Sequence, residues 1–355
     1  MSKCKVGIIF GGVSSEHEVS LKSASSVIRN IPRDKYDTVL IGITKDGRWL
    51  EYGGPVEAIE DGSWHKSKSC VPAFISPDCS IHGLVKTNSD GSFETERLDA
   101  VFPVLHGRNG EDGTIQGLFT LAGIPYVGCD LLSSAVCMDK AVTNAMLDYF
   151  GIPRAPWAMV LKYDIDKFEL LADTWETSLG YPMFVKPANA GSSVGITKAH
   201  DRSELRAALD LAFEHDVKAV VEKNISGKEL ECSVLGNLEP EVSVVGEILS
   251  ANEFYDYEAK YFNAQSRTII PARITGEQQR YIQKIALEAY KALGCSGLSR
   301  IDFLMDGETG AIYLNEPNTI PGFTSISMYA KMWEASGIGY SELIDRLFRL
   351  AIERG

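Results

Sequence analysis

Residues 298–319, LSRIDFLMDGETGAIYLNEPNT, decide the fold of the C-terminal part of this chain. Two apolar runs, 298–305 and 311–314, flank a turn-forming segment at 306–310, and this pattern predicts a β-hairpin. Polar side chains interrupt the runs at positions where a buried strand would be apolar. They are Arg300, Asp302, Asn315, Glu316 and Asn318.

The polar residues of this hairpin can share one face. Side chains alternate along a strand, so Glu316 and Asn318 point the same way, and a plausible register places Asp302 opposite Glu316. Two carboxylates and an amide oxygen suit Mg²⁺, which usually binds few protein ligands together with substrate phosphates. A salt-bridged edge hairpin with ordinary surface charges is the alternative. The hairpin alone leaves both interpretations open.

The composition is that of a globular protein with two or three domains. The chain has 355 residues, of which 45% are hydrophobic and 23% charged, and it lacks the run of about 18 apolar residues that a membrane span needs. A net charge of −13 disfavours nucleic acid as a partner. Seven cysteines without a CxxC pair argue against a disulfide framework or a zinc site. The first apolar run is too short for a signal peptide, which predicts a cytoplasmic protein.

Strand and helix patterns alternate along the first third of the chain, which predicts an open, mostly parallel sheet. Residues 51–97 are predicted as loops and short hairpins. Elsewhere in this part, strands are predicted at 6–10, 38–43, 99–105 and 125–128, and helices at 19–28, 113–122 and 138–150. A second unit follows, with strands predicted at 182–186, 196–198, 219–222, 229–235 and 241–249 and helices at 203–215, 277–293 and 341–352.

Two segments of the second unit can bind a nucleotide. The loop KPANAGSSVG at 186–195 leaves a strand through small residues, so its backbone N–H groups can approach phosphates while Lys186 supplies a charge. A plain glycine-rich hairpin explains it equally well. The strand end at Glu222 and Lys223 can read an adenine through its backbone, with Glu229 near the ribose, although a solvated strand end is the simpler explanation.

Three loops carry further polar residues. The loop HGRNGEDG at 106–113 follows a strand, where open α/β sheets bind ligands. Glu16 opens a helix, either as a charge that suits the helix dipole or as the partner of an ammonium group. The tyrosine-rich segment 255–261 is typical of a surface lid. After the hairpin, the Gly322 amide and Arg300 can stabilise an oxyanion.

Together these segments resemble the ATP-grasp superfamily and, within it, the D-alanine–D-alanine ligases. The matching segments run in order from residue 11 to 329, so the resemblance covers nearly the whole chain. They are GGVSSEHEVSLKS, HGRNGEDGTIQG, GIPYVG, MDK, FVKPANAGSSVG, VEKNISGKELE, YDYEAKY, GLSRIDFLM, LNEPNTIPGFT and SISMY.

The resemblance implies an α/β protein of three domains, with ATP held between two antiparallel sheets. The implied limits are 1–135 for an N-terminal substrate-binding domain, 136–228 for a central domain and 229–355 for a C-terminal domain with the lid and the hairpin. The implied reaction joins two D-alanine molecules through D-alanyl phosphate, for peptidoglycan precursor synthesis, with ATP as substrate and two Mg²⁺ or Mn²⁺ ions. A cytoplasmic homodimer is implied, with no membrane or nucleic-acid partner.

The resemblance also implies a role for each site residue. The implied ATP-binding residues are Lys140, Lys186, Glu222, Lys223, Ile225, Glu229 and Lys260. Asp302, Glu316 and Asn318 would hold the metal ions. Glu16, Ser192 and Tyr261 would form the trio that closes the lid over the first D-alanine, and Arg300 with Gly322 would stabilise the tetrahedral intermediate. His106 would lie at the carboxylate of the first D-alanine, and Ser327 and Met328 at that of the second.

Two departures from the family pattern concern the same region. Pro317 stands between metal ligands where an apolar residue with an N–H is usual, and proline is tolerated there only if that N–H is unpaired. Ile326 replaces a residue that is often polar, which leaves the acceptor pocket less defined. In related ligases that use D-serine or D-lactate the Met328 position tends to be arginine, and D-lactate forms can lack the lid tyrosine at position 261. Met328 and Tyr261 therefore favour D-alanine here.

Two other classes of protein would share part of this pattern. Another ATP-grasp enzyme, such as a biotin-dependent carboxylase or a purine-pathway ligase, would not carry both the segment at 16–20 and the loop at 106–113. A non-catalytic binding module would have no use for Asp302, Glu316, Lys186 and Arg300 together.

Overall fold

The computed structural model describes residues 3–191, 194–249 and 267–355. Its strands are β1 Cys4–Gly11, β2 Tyr36–Ile43, β3 Trp49–Tyr52, β4 Cys70–Ile75, β5 Gly83–Thr87, β6 Phe93–Arg97, β7 Ala100–Pro103, β8 Trp157–Leu161, β9 Met183–Pro187, β10 Thr197–Ala199, β11 Lys218–Lys223, β12 Gly227–Gly236, β13 Glu241–Leu249, β14 Arg267–Ile269, β15 Gly297–Asp306 and β16 Ile312–Asn318. Its α-helices are α1 His17–Asn30, α2 Val56–Glu60, α3 Thr114–Ala122, α4 Leu131–Met138, α5 Lys140–Tyr149, α6 Phe168–Ser178, α7 Arg202–His215, α8 Gly276–Ala292, α9 Met328–Ala335 and α10 Tyr340–Arg354.

The first sheet has the strand order β6-β5-β4-β3-β2-β1-β7. Strand β1 is parallel to β2 and to β7, as strand–helix alternation predicts. The sheet becomes antiparallel from β2 outwards, because residues 49–97 form four strands joined without long crossovers. The carboxyl ends of β1 and β7 lead into the loops that carry Glu16 and His106, which is where an open α/β sheet binds ligands.

Two predicted elements of this region differ from the structure. Residues 125–128 form only an isolated bridge, between Tyr126 and Val101, rather than a strand. The helix predicted at 138–150 begins at Lys140, because the Asp139 carboxylate accepts hydrogen bonds from the backbone N–H groups of Ala141 and Val142 and so caps a new helix. Helices α2, α4, α6 and α9 and strands β8 and β14 were not predicted.

The other two sheets are antiparallel throughout. The second has the order β10-β9-β11-β8 and the third β14-β13-β12-β15-β16. Both contribute residues to one cavity, so they lie on either side of it. This is the arrangement that the ATP-grasp resemblance implies. Within the described ranges, none of the helices has both the length and the apolar character that a membrane span requires.

Helix α10 joins the end of the chain to the first sheet. Phe348 and Leu347 pack in one core with Val6 and Phe102 of the sheet, and the Phe348 ring lies 4.9 Å from the ring of Tyr36. The limits of the three domains remain a proposal. The 15-residue helix α10 packs the C-terminal end of the chain against the N-terminal sheet.

Asp345 fixes this contact by charge, and its loss gives a first testable prediction. Its buried carboxylate accepts hydrogen bonds from Lys35 Nζ at 3.0 Å and Tyr36 Oη at 3.0 Å, and it pairs with Arg349. Burial opposes the charge, but these partners outweigh burial and lower the pKa of Asp345. Asp345→Asn is therefore expected to lower the free energy of unfolding at pH 7 by about 1–3 kcal/mol in urea denaturation.

The pH dependence of this effect follows from the sign of the pKa shift. A carboxyl with a lowered pKa in the folded state stabilises the fold above its unfolded pKa, and this stabilisation is lost as pH falls through the folded pKa. The difference between Asp345→Asn and the parent should therefore shrink below about pH 4. Glu342→Gln on the same helix is the control, because its exposed pair with Arg346 is worth about 0–1 kcal/mol. An equal loss in both variants would contradict the role of Asp345.

Candidate active site

The hairpin β15–β16 has the predicted register. Asp302 lies opposite Glu316, and Arg300 lies opposite Asn318. The turn is held by Asp306, whose carboxylate accepts hydrogen bonds from the backbone N–H groups of Glu308 at 3.0 Å and Thr309 at 2.7 Å. This turn fixes the pairing, and the pairing places the two carboxylates side by side on neighbouring strands.

A β-bulge adds a residue that the sequence did not single out as a site residue. The pairing shifts between Asp302 and Phe303, because Phe303 pairs with Leu314 and leaves Asn315 as the extra residue of β16. A bulge re-aims side chains, and here both Asn315 and Glu316 line the cavity. Asn315 Oδ1 accepts a long hydrogen bond from Lys186 Nζ at 3.5 Å. The sequence did offer a signal for Asn315, because an amide side chain is unusual in an otherwise apolar strand.

Pro317 fits the strand in which it lies. Strand β16 is the edge strand of its sheet, and an edge strand is where proline is tolerated, because one row of its N–H groups needs no partner in the sheet. Glu316 and Asn318 on either side keep their register positions opposite Asp302 and Arg300. The departure at Pro317 therefore leaves the two neighbouring side chains in place.

A cavity of about 330 Å³ lies between the two antiparallel sheets. It is large enough for a ligand the size of a nucleotide, for which pockets of about 300–1,000 Å³ are usual. Phe184 and Ala155 provide apolar walls, and the segment 222–227 also lines the cavity. Seven of the predicted ATP and metal residues line this cavity, namely Lys186, Glu222, Lys223, Ile225, Glu229, Asp302 and Glu316.

Lys186 and Glu222 form a buried ion pair inside this cavity. Lys186 Nζ lies 2.6 Å from Glu222 Oε2, and Asn144 donates to Glu222 Oε1 at 3.1 Å. Burial opposes the charge on Lys186, but Glu222 outweighs it and raises the pKa of the lysine. Burial likewise opposes the charge of Glu222, yet Lys186 and Asn144 lower the pKa of that carboxyl. Both groups are therefore charged, and the lysine is held ready for an anionic ligand.

The predicted metal residues have donor groups of the right kind. Asp302 and Glu316 line the cavity from adjacent strands, and carboxylate oxygens are the ligands that Mg²⁺ prefers. Across residues 3–191, 194–249 and 267–355, no group of three or more His, Cys, Asp or Glu side chains is arranged to hold a metal ion. A metal site built on these two carboxylates would therefore need further ligands, and the phosphates of a nucleotide are ligands of the kind that Mg²⁺ uses.

Three further predicted residues, Arg300, Asn318 and Lys140, lie near this cavity without lining it. Arg300 makes a two-point ion pair with Asp302, and Asn318 donates its side-chain N–H to the same carboxylate at 3.0 Å. Lys140, at the start of α5, donates to the Ala190 carbonyl oxygen at 2.8 Å. It thereby holds the glycine-rich loop, close enough for its charge to lower the pKa of Glu222 further.

Glu16 lies beside two glycines from different parts of the chain. It precedes α1, but its side chain makes no capping hydrogen bond to that helix. A Cβ atom at Gly107 would overlap Glu16 Oε2, and one at Gly191 would lie 3.3 Å from it. The carboxylate therefore reaches the loop after β7 and the glycine-rich loop after β9. A helix-capping role does not explain this position.

His106 connects the first sheet to the segment after the hairpin. Its Nδ1 donates to the Ile320 carbonyl oxygen at 3.2 Å and lies 3.5 Å from Glu111 Oε1. Its Nε2 contacts Ser23 Oγ at 3.0 Å, and the same hydroxyl accepts from the Phe323 backbone N–H at 3.2 Å. Burial opposes a charge on His106, but Glu111 outweighs it and raises the pKa of the imidazole.

The segment 320–328, which contacts His106 through Ile320, carries the predicted residues Gly322, Ser327 and Met328. Ser327 Oγ accepts from the Thr324 backbone N–H at 3.0 Å, and a Cβ at Gly322 would lie 2.9 Å from the same oxygen. Met328 packs its side chain into an apolar cluster with Ile248 and Met332. Ser192, Lys260 and Tyr261 lie outside the described residues.

The structure also adds residues to the site. Asn144 holds Glu222, and Glu231 lines the cavity beside Arg300. Glu231 offered a signal in sequence, because a glutamate in the apolar run of a central strand is unusual. Asn144 offered none, since an amide on an amphipathic helix is ordinary.

Two family models together match most of the chain. The model described as D-ala D-ala ligase N-terminus matches residues 5–129, and the model described as D-ala D-ala ligase C-terminus matches residues 146–349. The first covers the sheet that carries Glu16 and His106. The second covers both antiparallel sheets and the hairpin.

Named relatives and solved structures agree with the family models. A D-alanine–D-alanine ligase of Thermoanaerobacter sp. (strain X514) is 51% identical over 354 residues, 99% of this chain and 98% of that protein. One from Acetivibrio thermocellus is 50% identical over 99% of this chain and 96% of its own.

Among solved structures, VanG D-Ala:D-Ser ligase from Enterococcus faecalis has a TM-score of 0.90 and 45% identity over 99% of this chain and 100% of its own. The D-alanine–D-alanine ligase from Coxiella burnetii has a TM-score of 0.83 and 36% identity, over 99% of this chain and 96% of its own. With the nucleotide cavity, the paired carboxylates and the Glu16–His106 loops all in the matched regions, the chain belongs to the D-alanine–D-alanine ligase family.

Proposed function

We propose that the chain joins two D-alanine molecules into D-alanyl-D-alanine and converts one ATP to ADP and phosphate. The observation that carries the proposal is the position of Lys186, Asp302 and Glu316 around one nucleotide-sized cavity. Curated relatives at about 50% identity over their full length are named D-alanine–D-alanine ligases. The proposed product is a precursor for peptidoglycan.

ATP occupies the cavity between the antiparallel sheets in this proposal. The backbone from Glu222 to Ile225 is proposed to bracket the adenine and Glu229 to bind the ribose, and all of these residues line the cavity. Lys186 lines the same cavity, between Glu222 and Asn315, and is proposed to bind the phosphates together with Lys140 of α5. Lys260 completes the proposed phosphate contacts from the segment outside the described residues.

The first step activates a carboxylate. The carboxylate of the first D-alanine attacks the γ-phosphoryl group, which gives D-alanyl phosphate and ADP, and Lys186 stabilises the charge that develops on the transferred group. Asp302, Glu316 and Asn318 would hold two Mg²⁺ or Mn²⁺ ions, which neutralise phosphate charge when bound. Glu16 binds the ammonium group of this D-alanine, and His106 lies at its carboxylate. Ser192 and Tyr261 are proposed to complete the trio with Glu16.

The second step forms the peptide bond. The deprotonated amine of the second D-alanine attacks the acyl phosphate, and phosphate leaves. Arg300 and the Gly322 amide are proposed to stabilise the oxyanion, and each such donor is typically worth about 3–4 kcal/mol. Ser327 and the first turn of α9 at Met328 are proposed to receive the carboxylate of this acceptor.

The experiment that tests the function is phosphate release from Mg²⁺–ATP. We expect release that depends on D-alanine and not on L-alanine, with D-alanyl-D-alanine as the product. Release that is the same without D-alanine would overturn the ligase assignment. ATP turnover driven by D-alanine without dipeptide would overturn the second step only.

The acceptor is decided by the same assay with mixed substrates. One similar structure is a D-Ala:D-Ser ligase, but the apolar Met328 offers no charge to a polar acceptor. We therefore expect kcat/KM for D-alanine as acceptor to exceed the values for D-serine and D-lactate. A higher value for D-serine or D-lactate would make the chain a ligase of that other specificity.

We propose a homodimer formed through the N-terminal domain. Helices α3 and α4 pack together and expose leucines at positions 121, 131 and 132. These leucines support the proposal because contiguous exposed apolar patches mark protein–protein interaction sites. The reaction is placed in the cytoplasm, where its ATP is found.

A further inference from the structure

Glu231 is a buried carboxylate at the nucleotide cavity to which the reaction described above gives no role. It lies on β12, the central strand of its sheet, directly opposite Asp302 on β15. Its side chain is 6% exposed. A buried carboxylate is retained only with a charged or hydrogen-bonding partner, and Glu231 Oε2 lies 3.1 Å from Arg300 Nε.

Arg300 is shared between Glu231 and Asp302. Its Nε and Nη2 atoms each donate to one Asp302 oxygen at 2.7 Å, which is the two-point geometry of a strong arginine–carboxylate pair. Asn318 donates to one of these oxygens as well, at 3.0 Å. Both oxygens of Asp302 therefore receive N–H groups, and one guanidinium neutralises two carboxylates on neighbouring strands.

This arrangement conflicts with metal binding at Asp302. A divalent cation would use the oxygen lone pairs to which Arg300 now donates, and its charge would repel the guanidinium at close range. Arg300 must then move away from Asp302. Glu231 already contacts the same Nε atom from the adjacent strand, so it offers a second anchor within reach without any change of the backbone.

We propose that Glu231 is the positioning residue for Arg300: when a metal ion takes Asp302, the guanidinium shifts onto Glu231 and stays beside the reacting acyl group. The inference rests on the proposed function in one respect, since it takes Asp302 to be a metal ligand. Without Glu231, Arg300 has Asp302 as its remaining partner of this pair of carboxylates, and it competes with the metal ion there.

The test is a double-mutant cycle on Mn²⁺ binding, followed by electron paramagnetic resonance of free Mn²⁺ in the presence of ADP. Glu231→Gln is expected to weaken Mn²⁺ binding about tenfold, because Arg300 then remains on Asp302. Arg300→Gln removes the competitor and is expected to bind Mn²⁺ at least as tightly as the parent. In the Arg300→Gln background, Glu231→Gln should have no further effect.

Two results would overturn the proposal. Glu231→Gln could leave Mn²⁺ binding unchanged in the parent, or it could weaken binding equally with and without Arg300. The second result would mean that Glu231 acts through its charge alone. The matched control is Glu247→Gln, which removes a buried carboxylate of the same sheet whose partner is Arg273 rather than Arg300. It should leave Mn²⁺ binding unchanged.

Stability is measured on every variant, since Arg300→Gln leaves two carboxylates side by side. If it melts below the assay temperature, Arg300→Lys takes its place, because lysine keeps the charge but lacks the planar fork that spans two oxygens. The effect of Glu231→Gln should be smaller in that background too, and an undiminished effect would overturn the proposal. The proposed ligase function fails separately, through phosphate release from the parent chain that does not depend on D-alanine.

Discussion

Replacing Lys186 by methionine is expected to lower kcat/KM for ATP about 10²–10³-fold, because a preorganised donor to a developing charge is worth about 3–4 kcal/mol. The same change is expected to destabilise the fold. Glu222 would remain buried with its charge unpaired, which typically costs about 3–5 kcal/mol. D-Alanine-dependent phosphate release and urea denaturation measure the two effects separately.

A second variant distinguishes a catalytic loss from a folding loss. Lys186→Met combined with Glu222→Gln removes both charges and leaves Asn144 a partner at position 222. The free energy of unfolding should return close to that of the parent, while activity stays low. If activity returned together with stability, Lys186 would be a structural cation rather than a ligand of the phosphates.

The hairpin is the part of the site that local sequence rules could predict. Its turn contains Asp306 and Gly310, and Gly310 adopts a φ of +71° that suits glycine. With the turn placed, the two-residue period of a strand sets Asp302 against Glu316, and the structure has this pair. The antiparallel sheets around the cavity followed from the resemblance, which rested on ten short segments rather than on any single motif.

Other features depend on contacts between segments that are distant in sequence. The pair between Lys186 and Glu222 needs β9 beside β11, an order that no local pattern encodes. The bulge at Asn315 changes pairing by one residue and leaves the apolar pattern of β16 unaltered. The packing of α10 on the first sheet likewise could not be predicted from periodicity. A helical period shows that a helix has an apolar face, but not which element packs against that face.

Replacing Glu16 by glutamine tests the part of the site that selects the amino acid. The variant keeps the size of the side chain beside Gly107 and Gly191, where Glu16 is buried, and removes only the charge. A hydrogen bond to a charged group contributes about 1.5–3 kcal/mol. We therefore expect kcat/KM for D-alanine to fall by about 10–150-fold in steady-state phosphate release.

Which substrate's kinetic parameters change is as informative as the size of the change. Because Lys186 and the cavity between the sheets are untouched, the KM for ATP should stay close to that of the parent. Glu18→Gln is the matched control, since Glu18 lies two residues further on, in the first turn of α1, has a half-exposed side chain and pairs with Lys45 at the surface. It should change neither parameter. Equal losses in the two variants would mean that the charge at the start of α1 acts on the helix alone, and Glu16 would then have no place in binding the first D-alanine.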